Sequence, residues 1–179
     1  MGGLSRSAGV ERIFHVSDTP GISRFEPRPD AQGRERVWAI GDTRLHNYLL
    51  PRDCPRVTYY ATDTTTDEDR SAFFSASGAQ SVVAIEHRWF QALRDTQLYV
   101  YEFDSATFAL EDSIAAYYVS AQAVTPIAHR VVADPAAELF DRRVELRVLP
   151  SLWELRDAVA QSSLGFSIIR MRNARPRDL

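Results

Sequence analysis

The chain of 179 residues contains no lysine; all 21 of its basic residues are arginine. That bias reads as a codon-composition signature rather than as chemistry. A single cysteine, Cys54, excludes an intrachain disulfide and a zinc site built from cysteines. Glycines number only eight. Neither G-x-x-x-x-G-K-[ST] nor G-x-G-x-x-G occurs, which excludes the backbone phosphate cradles of those motifs. H-E-x-x-H and the G-x-S-x-G nucleophile elbow are also absent. The four histidines, His15, His46, His87 and His129, are scattered rather than spaced as a ligand set, so no metal is expected. No apolar run approaches the roughly 18 residues of a spanning helix, and no membrane is expected as a partner. Met1–Phe14 carries no apolar stretch of the secretory-leader kind, so the expected location is cytoplasmic. A net charge of −3 disfavours binding to nucleic acid through overall charge.

What is present is enough for a core: 45% of the residues are hydrophobic and 25% charged, a balance that suits one globular domain. Residues 1–9 are small and polar, and a disordered segment is expected there, followed by a domain over 10–172 and a polar tail over 173–179. Strands are expected at Val10–Val16, Arg36–Ile40, Val57–Ala61, Ser81–Glu86, Leu98–Phe103, Ala115–Ser120, Val124–Ala133, Val144–Leu149 and Phe166–Met171. Short helices are expected after Asp42, after Thr66, over His87–Arg94, and after Asp134-Pro135, a cap with proline at the first helical position. Ser151-Leu152-Trp153-Glu154 reads as a capping box. Helices fall between the early strands, while those over 98–133 run nearly back to back. The pattern predicts an α+β domain with a mixed, largely antiparallel sheet.

Three groups of residues are candidates for chemistry. His15 ends the first strand, in Phe14-His15-Val16-Ser17-Asp18, where an imidazole can face a cleft or can simply be a hydrogen-bonded strand residue. Tyr48 lies on a short helix with Leu45 and Leu49, as a cleft wall or as a core aromatic. Glu102 is an acid on the Leu98/Val100 face of a strand, either deliberately placed or on a solvated edge. Arg24 and Arg28 follow His15, and Arg52 and Arg56 follow Tyr48; if both loops meet at one cleft they make an anion-binding rim. Cys54, flanked by Arg52 and Arg56, reads as a small packed residue. Arg170, Arg172, Arg175 and Arg177 form a basic end that can touch RNA.

Phe14-His15-Val16-Ser17-Asp18, Phe25-Glu26-Pro27-Arg28, Val37-Trp38-Ala39-Ile40 and the run Asn47 to Thr58 resemble an uncharacterised bacterial family, a domain of unknown function. The similarity continues through Tyr117-Tyr118-Val119-Ser120, Pro150-Ser151-Leu152-Trp153, Phe166-Ser167 and Arg172-Asn173. More distantly, His15-Val16-Ser17 is similar to the strand-ending His-Gly-Ser/Thr of the ADP-ribosyltransferase superfamily. Val37-Trp38-Ala39, read on to Asn47-Tyr48, is similar to its second motif. That resemblance implies a split sheet, NAD as a substrate, His15 on a ribose and Tyr48 on nicotinamide. It also implies Ser17, Arg24, Arg28, Trp38, Ala39 and Tyr117 around the nucleotide. Tyr117 stands where the superfamily carries Glu, and a neutral phenol lacks that negative charge; Glu102 is the expected substitute. The implied activity is glycosidic transfer or cleavage at the nicotinamide ribose, with a protein or RNA acceptor. The alternatives are an RNA 2′-phosphotransferase-like enzyme and a non-catalytic binding or interaction module on the same fold.

Overall fold

The computed structural model describes residues 11–75 and 77–177. The expected disordered segment 1–9, Val10 of the first strand and the last two tail residues lie outside the described residues. The elements in chain order are β1 Ile13–Ser17, β2 Arg28–Pro29, β3 Glu35–Gly41, β4 Arg56–Tyr60, α1 Asp67–Phe74, β5 Ser81–Glu86, α2 Phe90–Asp95, β6 Leu98–Phe103, β7 Ala109–Asp112, β8 Tyr117–Ser120, β9 Ala128–Val132, α3 Pro135–Asp141, β10 Glu145–Leu149, α4 Trp153–Ala160 and β11 Gly165–Ile169. Turns of 3-10 helix occupy Asp42–Tyr48, His87–Trp89, Ser105–Thr107 and Met171–Asn173.

The strands form two sheets. One runs β7-β8-β3-β1-β6-β9 with β2 on β3, and the other runs β10-β5-β4-β11. All ladders are antiparallel except β10 on β5, so the domain is α+β with mixed, mainly antiparallel pairing. β1, β3 and β5 read as nearly continuous apolar runs because both of their faces are covered. Along β1, Ile13 packs with Phe25, Tyr101 and Phe103 on one face, while Phe14 joins Ile40, Leu45, Leu98 and Val100 on the other. Along β5, Val83 and Ile85 face that same core, and Val82 and Ala84 pack with Tyr59, Leu152 and Val159 beneath the helices.

Local signals set several boundaries as expected. Thr66 caps α1 by accepting from the Asp69 N–H at 3.2 Å, and Asp134 caps α3 by accepting from the Ala137 N–H at 3.0 Å. Two expectations are corrected. The strand expected over Val124–Ala133 is confined to β9, Ala128–Val132: β8 pairs with β3 and β7 and β9 pairs with β6 at the far edge, so the connection between them crosses the sheet and is pinned midway by Val124 against Phe25. The capping box does not form. Fully buried Leu152 takes the position before α4, and the Ser151 hydroxyl accepts from the Trp153 N–H at 3.4 Å. Burying Leu152 in the core under α4 outweighs the local cap.

Candidate functional site

The β1–β3 ladder ends at Phe14 opposite Ile40. Past that point the strands part, and His15 spans the gap with its Nδ1 at 3.0 Å from the Trp38 carbonyl oxygen. A carbonyl only accepts, so Nδ1 carries the proton and the neutral ring keeps Nε2 as an acceptor. Phe25 packs at 4.9 Å from the imidazole. Burial lowers the His15 pKa from its ordinary value; the Trp38 carbonyl opposes this, and Arg52 and Arg28 add to it.

At this parting of the strands lies a cavity of about 520 Å³. Its walls bring together His15 and Ser17 of β1, Trp38 and Ala39 of β3, Tyr48 of the 3-10 turn and Tyr117 of β8. Six of the nine expected site residues therefore share one surface. Ala116, immediately before Tyr117, has a positive φ of 53°, and its carbonyl accepts from the Gly41 N–H. The Tyr48 hydroxyl donates to the Tyr117 hydroxyl at 2.6 Å, which leaves the Tyr117 proton available to a ligand. Trp38 meets Tyr117 edge-on with ring centres 5.9 Å apart. Burial, reinforced by Tyr117, raises the Tyr48 pKa, so this phenol stays protonated.

The other three expected residues lie elsewhere. Both Glu102 carboxylate oxygens are taken by Arg12, at 2.7 and 2.6 Å, and this pairing holds the Glu102 pKa below its ordinary value. Glu102 does share a strand with Leu98, which lines the cavity, but four residues of strand separate them by roughly 13 Å. Glu102, named as the substitute acid with its facing left open between a placed acid and a solvated edge, therefore does not line the cavity. Arg24 pairs with Glu26 at 2.6 Å, and Arg28 sits in β2 opposite Arg36; neither lines the cavity.

The arginine rim exists with a different membership. Arg52 and Arg56 line it as expected, joined by Arg170 and Arg172 from the end of β11. Arg56 is only 3% exposed; its Nε donates to the Asn47 carbonyl at 3.2 Å and its Nη1 to the Cys54 carbonyl at 2.8 Å. Among the described residues no carboxylate stands within 4 Å of Arg56, Arg170 or Arg172, while Arg52 lies 3.9 Å from Asp18. Among the described residues Asp18 is the one carboxylate in the cavity wall. Four guanidinium groups against one carboxylate make this end of the cavity cationic. The sequence signal for the missed pair was present, since Arg170 and Arg172 alternate at the end of a strand, but nothing local tied that strand to β1. Beside Arg56, Cys54 is fully buried and its thiol pKa is pushed up to about 12. A thiol reagent at pH 8 is therefore expected to leave the folded protein unlabelled and to label it on unfolding.

Among the described residues no three His, Cys, Asp or Glu side chains gather as a metal site, and no helix is long and apolar enough to cross a membrane. The chain belongs to a family of unknown function, DUF6886, whose model matches residues 14–174. No curated protein matches it, and no solved structure matches it.

Proposed function

We propose that this member of the DUF6886 family binds NAD or a related nucleotide in the cleft between β1 and β3, in the manner of an ADP-ribosyltransferase. The observation that carries the reading is the meeting of His15, Tyr48 and Tyr117, far apart in sequence, on one cavity of about 520 Å³, within the size range of small-molecule sites. Trp38, Tyr48 and Tyr117 offer aromatic surface to a base or to the cationic nicotinamide ring. His15 Nε2 accepts from a ribose hydroxyl, and Tyr117 donates to an oxygen of the ligand. The arginines neutralise the phosphates. The proposed reaction is transfer or cleavage at the nicotinamide glycosidic bond, with Asp18 rather than Glu102 as the carboxylate facing the developing positive charge.

Calorimetric titration tests this. Wild-type protein is expected to bind NAD in the micromolar range. His15→Ala and Tyr48→Ala each weaken binding about tenfold or more, by removing a hydrogen-bond partner and a stacking surface. A wild-type protein that binds neither NAD nor ADP-ribose overturns the reading.

A second reading is favoured by the excess of arginine over carboxylate. A ligand dominated by its phosphates, as in an RNA 2′-phosphotransferase-like enzyme, calls for such a site and has less need of an acid. In that case Arg52→Ala affects binding more than Tyr48→Ala does, and a phosphorylated ribose outcompetes NAD.

A further inference from the structure

The arginines that line the cationic end come from only two stretches of chain, 52–56 and 170–172. The second opens a segment that runs back across the domain and is held by side chains of other elements. Arg170 leaves β11 with a left-handed φ of 58°, a conformation that non-glycine residues adopt only when their surroundings hold them there. A 3-10 turn follows at Met171–Asn173. Asn173 Nδ2 then donates to the Asp53 carbonyl at 2.8 Å, tying the segment to the loop that carries Arg52 and Arg56.

Two residues on, the Arg175 N–H donates to the Glu86 carboxylate, at 2.8 Å from Oε1 and 3.1 Å from Oε2. Glu86 is fully buried at the end of β5 and also accepts from Arg88 Nε at 2.8 Å. Arg88 in turn donates to the Asn173 carbonyl. Beyond this, the Trp153 indole N–H donates to the Arg175 carbonyl at 2.7 Å, and Arg177 pairs with Asp157 over the Trp153 ring. A buried carboxylate spent on a main-chain N–H costs desolvation, which the contact it makes must offset.

We infer that the segment Arg170–Arg177 is a strap that completes the phosphate-binding end of the cleft, and that Glu86 is its positioning residue, latching the strap so that Arg172 stays at the cavity beside Arg170, which the β11–β4 ladder already sets next to Arg56. The inference deepens the nucleotide reading above, on which it rests for the identity of the anion, by naming the segment that holds the phosphates. Glu86 does not line the cavity; it acts through the strap. A strap held by a few such contacts at Asn173, Arg175 and Arg177 can release and re-dock, so anion binding and strap docking stabilise each other.

Inorganic pyrophosphate, titrated into the full chain beside NAD, is the probe, and hydrogen exchange over 171–177 reports strap docking. Wild-type protein binds pyrophosphate, and binding slows exchange in the strap. Glu86→Gln replaces one acceptor oxygen by an NH2 facing existing donors. It is expected to weaken pyrophosphate about tenfold and to speed exchange over 171–177. Should Glu86→Gln fail to fold, Asn173→Ala, which cuts only the tie to Asp53, is expected to weaken pyrophosphate about threefold. Wild-type affinity for pyrophosphate in these variants overturns the inference, and so does a wild-type protein that binds NAD but not pyrophosphate. Latch-dependent binding of pyrophosphate without binding of NAD or ADP-ribose upholds the strap and sinks the nucleotide reading.

Discussion

Acidification from pH 6.5 to 4 is expected to cost the folded protein on the order of 3 kcal/mol through His46 alone. His46 is 6% exposed, within the 3-10 turn Asp42–Tyr48. Burial drives its pKa from 6.5 down to about 4; Arg44 and Arg142 add to the shift, and Asp42 opposes it. A histidine that is harder to protonate when folded binds protons preferentially when unfolded. Its penalty is therefore absent above pH 6.5, grows as the pH falls, and is complete below about pH 4. His15, shifted in the same direction, adds to the slope. Carboxylates held low by arginine, such as Glu102, Glu138 and Asp157, contribute a further loss nearer the ordinary carboxylate range. Urea unfolding at half-unit steps of pH measures the slope, and His46→Gln is expected to flatten it between pH 6.5 and 5. An unchanged slope in that variant would show that His46 takes up its proton as readily in the folded state as in the unfolded one.

Leu49→Ala is expected to destabilise the domain by about 3 kcal/mol and to weaken NAD binding at the same time. The turn that carries Tyr48 is seven residues of 3-10 helix, begun by Gly41 with no side-chain cap. Such helices have poor hydrogen-bond geometry and rarely run so long without outside support. The support here is packing, since Leu45 and Leu49 are fully buried and Leu50 nearly so, in the core that includes Phe14, Ile40 and Leu98. Removing the Leu49 side chain leaves a cavity beneath Tyr48 in a protein whose whole stability is of the order of 5–15 kcal/mol. The expected result is a lower urea midpoint with unchanged m-value, together with a weaker NAD titration at temperatures where the variant is still folded. A loss below about 1 kcal/mol would mean that hydrogen bonding, not the core, holds the turn.

How far the sequence reaches can be judged residue by residue. The strands Ser81–Glu86 and Leu98–Phe103 have the expected bounds, because alternation and β-branched content act within a few residues. Thr66 and Asp134 cap helices for the same reason: the bond closes over three residues. The packed, inert character of Cys54 was also legible in its immediate neighbours, whereas the meeting of His15, Ser17, Trp38, Ala39, Tyr48 and Tyr117 on one cavity was implied by a resemblance and followed from no local rule. Ser151 shows where a local rule yields, because the burial of Leu152 outweighed the capping bond its neighbours encode.

Glu102 and the arginines mark the boundary. Strand alternation assigns Glu102 to the Leu98 face but carries no information on how far along that face the cleft extends. Only the place where β1 and β3 part settles that, and it leaves Glu102 to Arg12. Arg24 and Arg170 look equally available in the sequence. The fold turns Arg24 toward Glu26 and brings Arg170 beside Arg56, through a β11–β4 ladder that joins residues more than 100 positions apart. The sequence by itself thus determined most of the elements, the Thr66 and Asp134 caps and the chemistry each residue can offer, since those depend on near neighbours, but not the short edge strands β2 and β7. The tertiary structure alone decided which charges meet in the cleft, since that depends on strand order and register, to which the whole chain contributes.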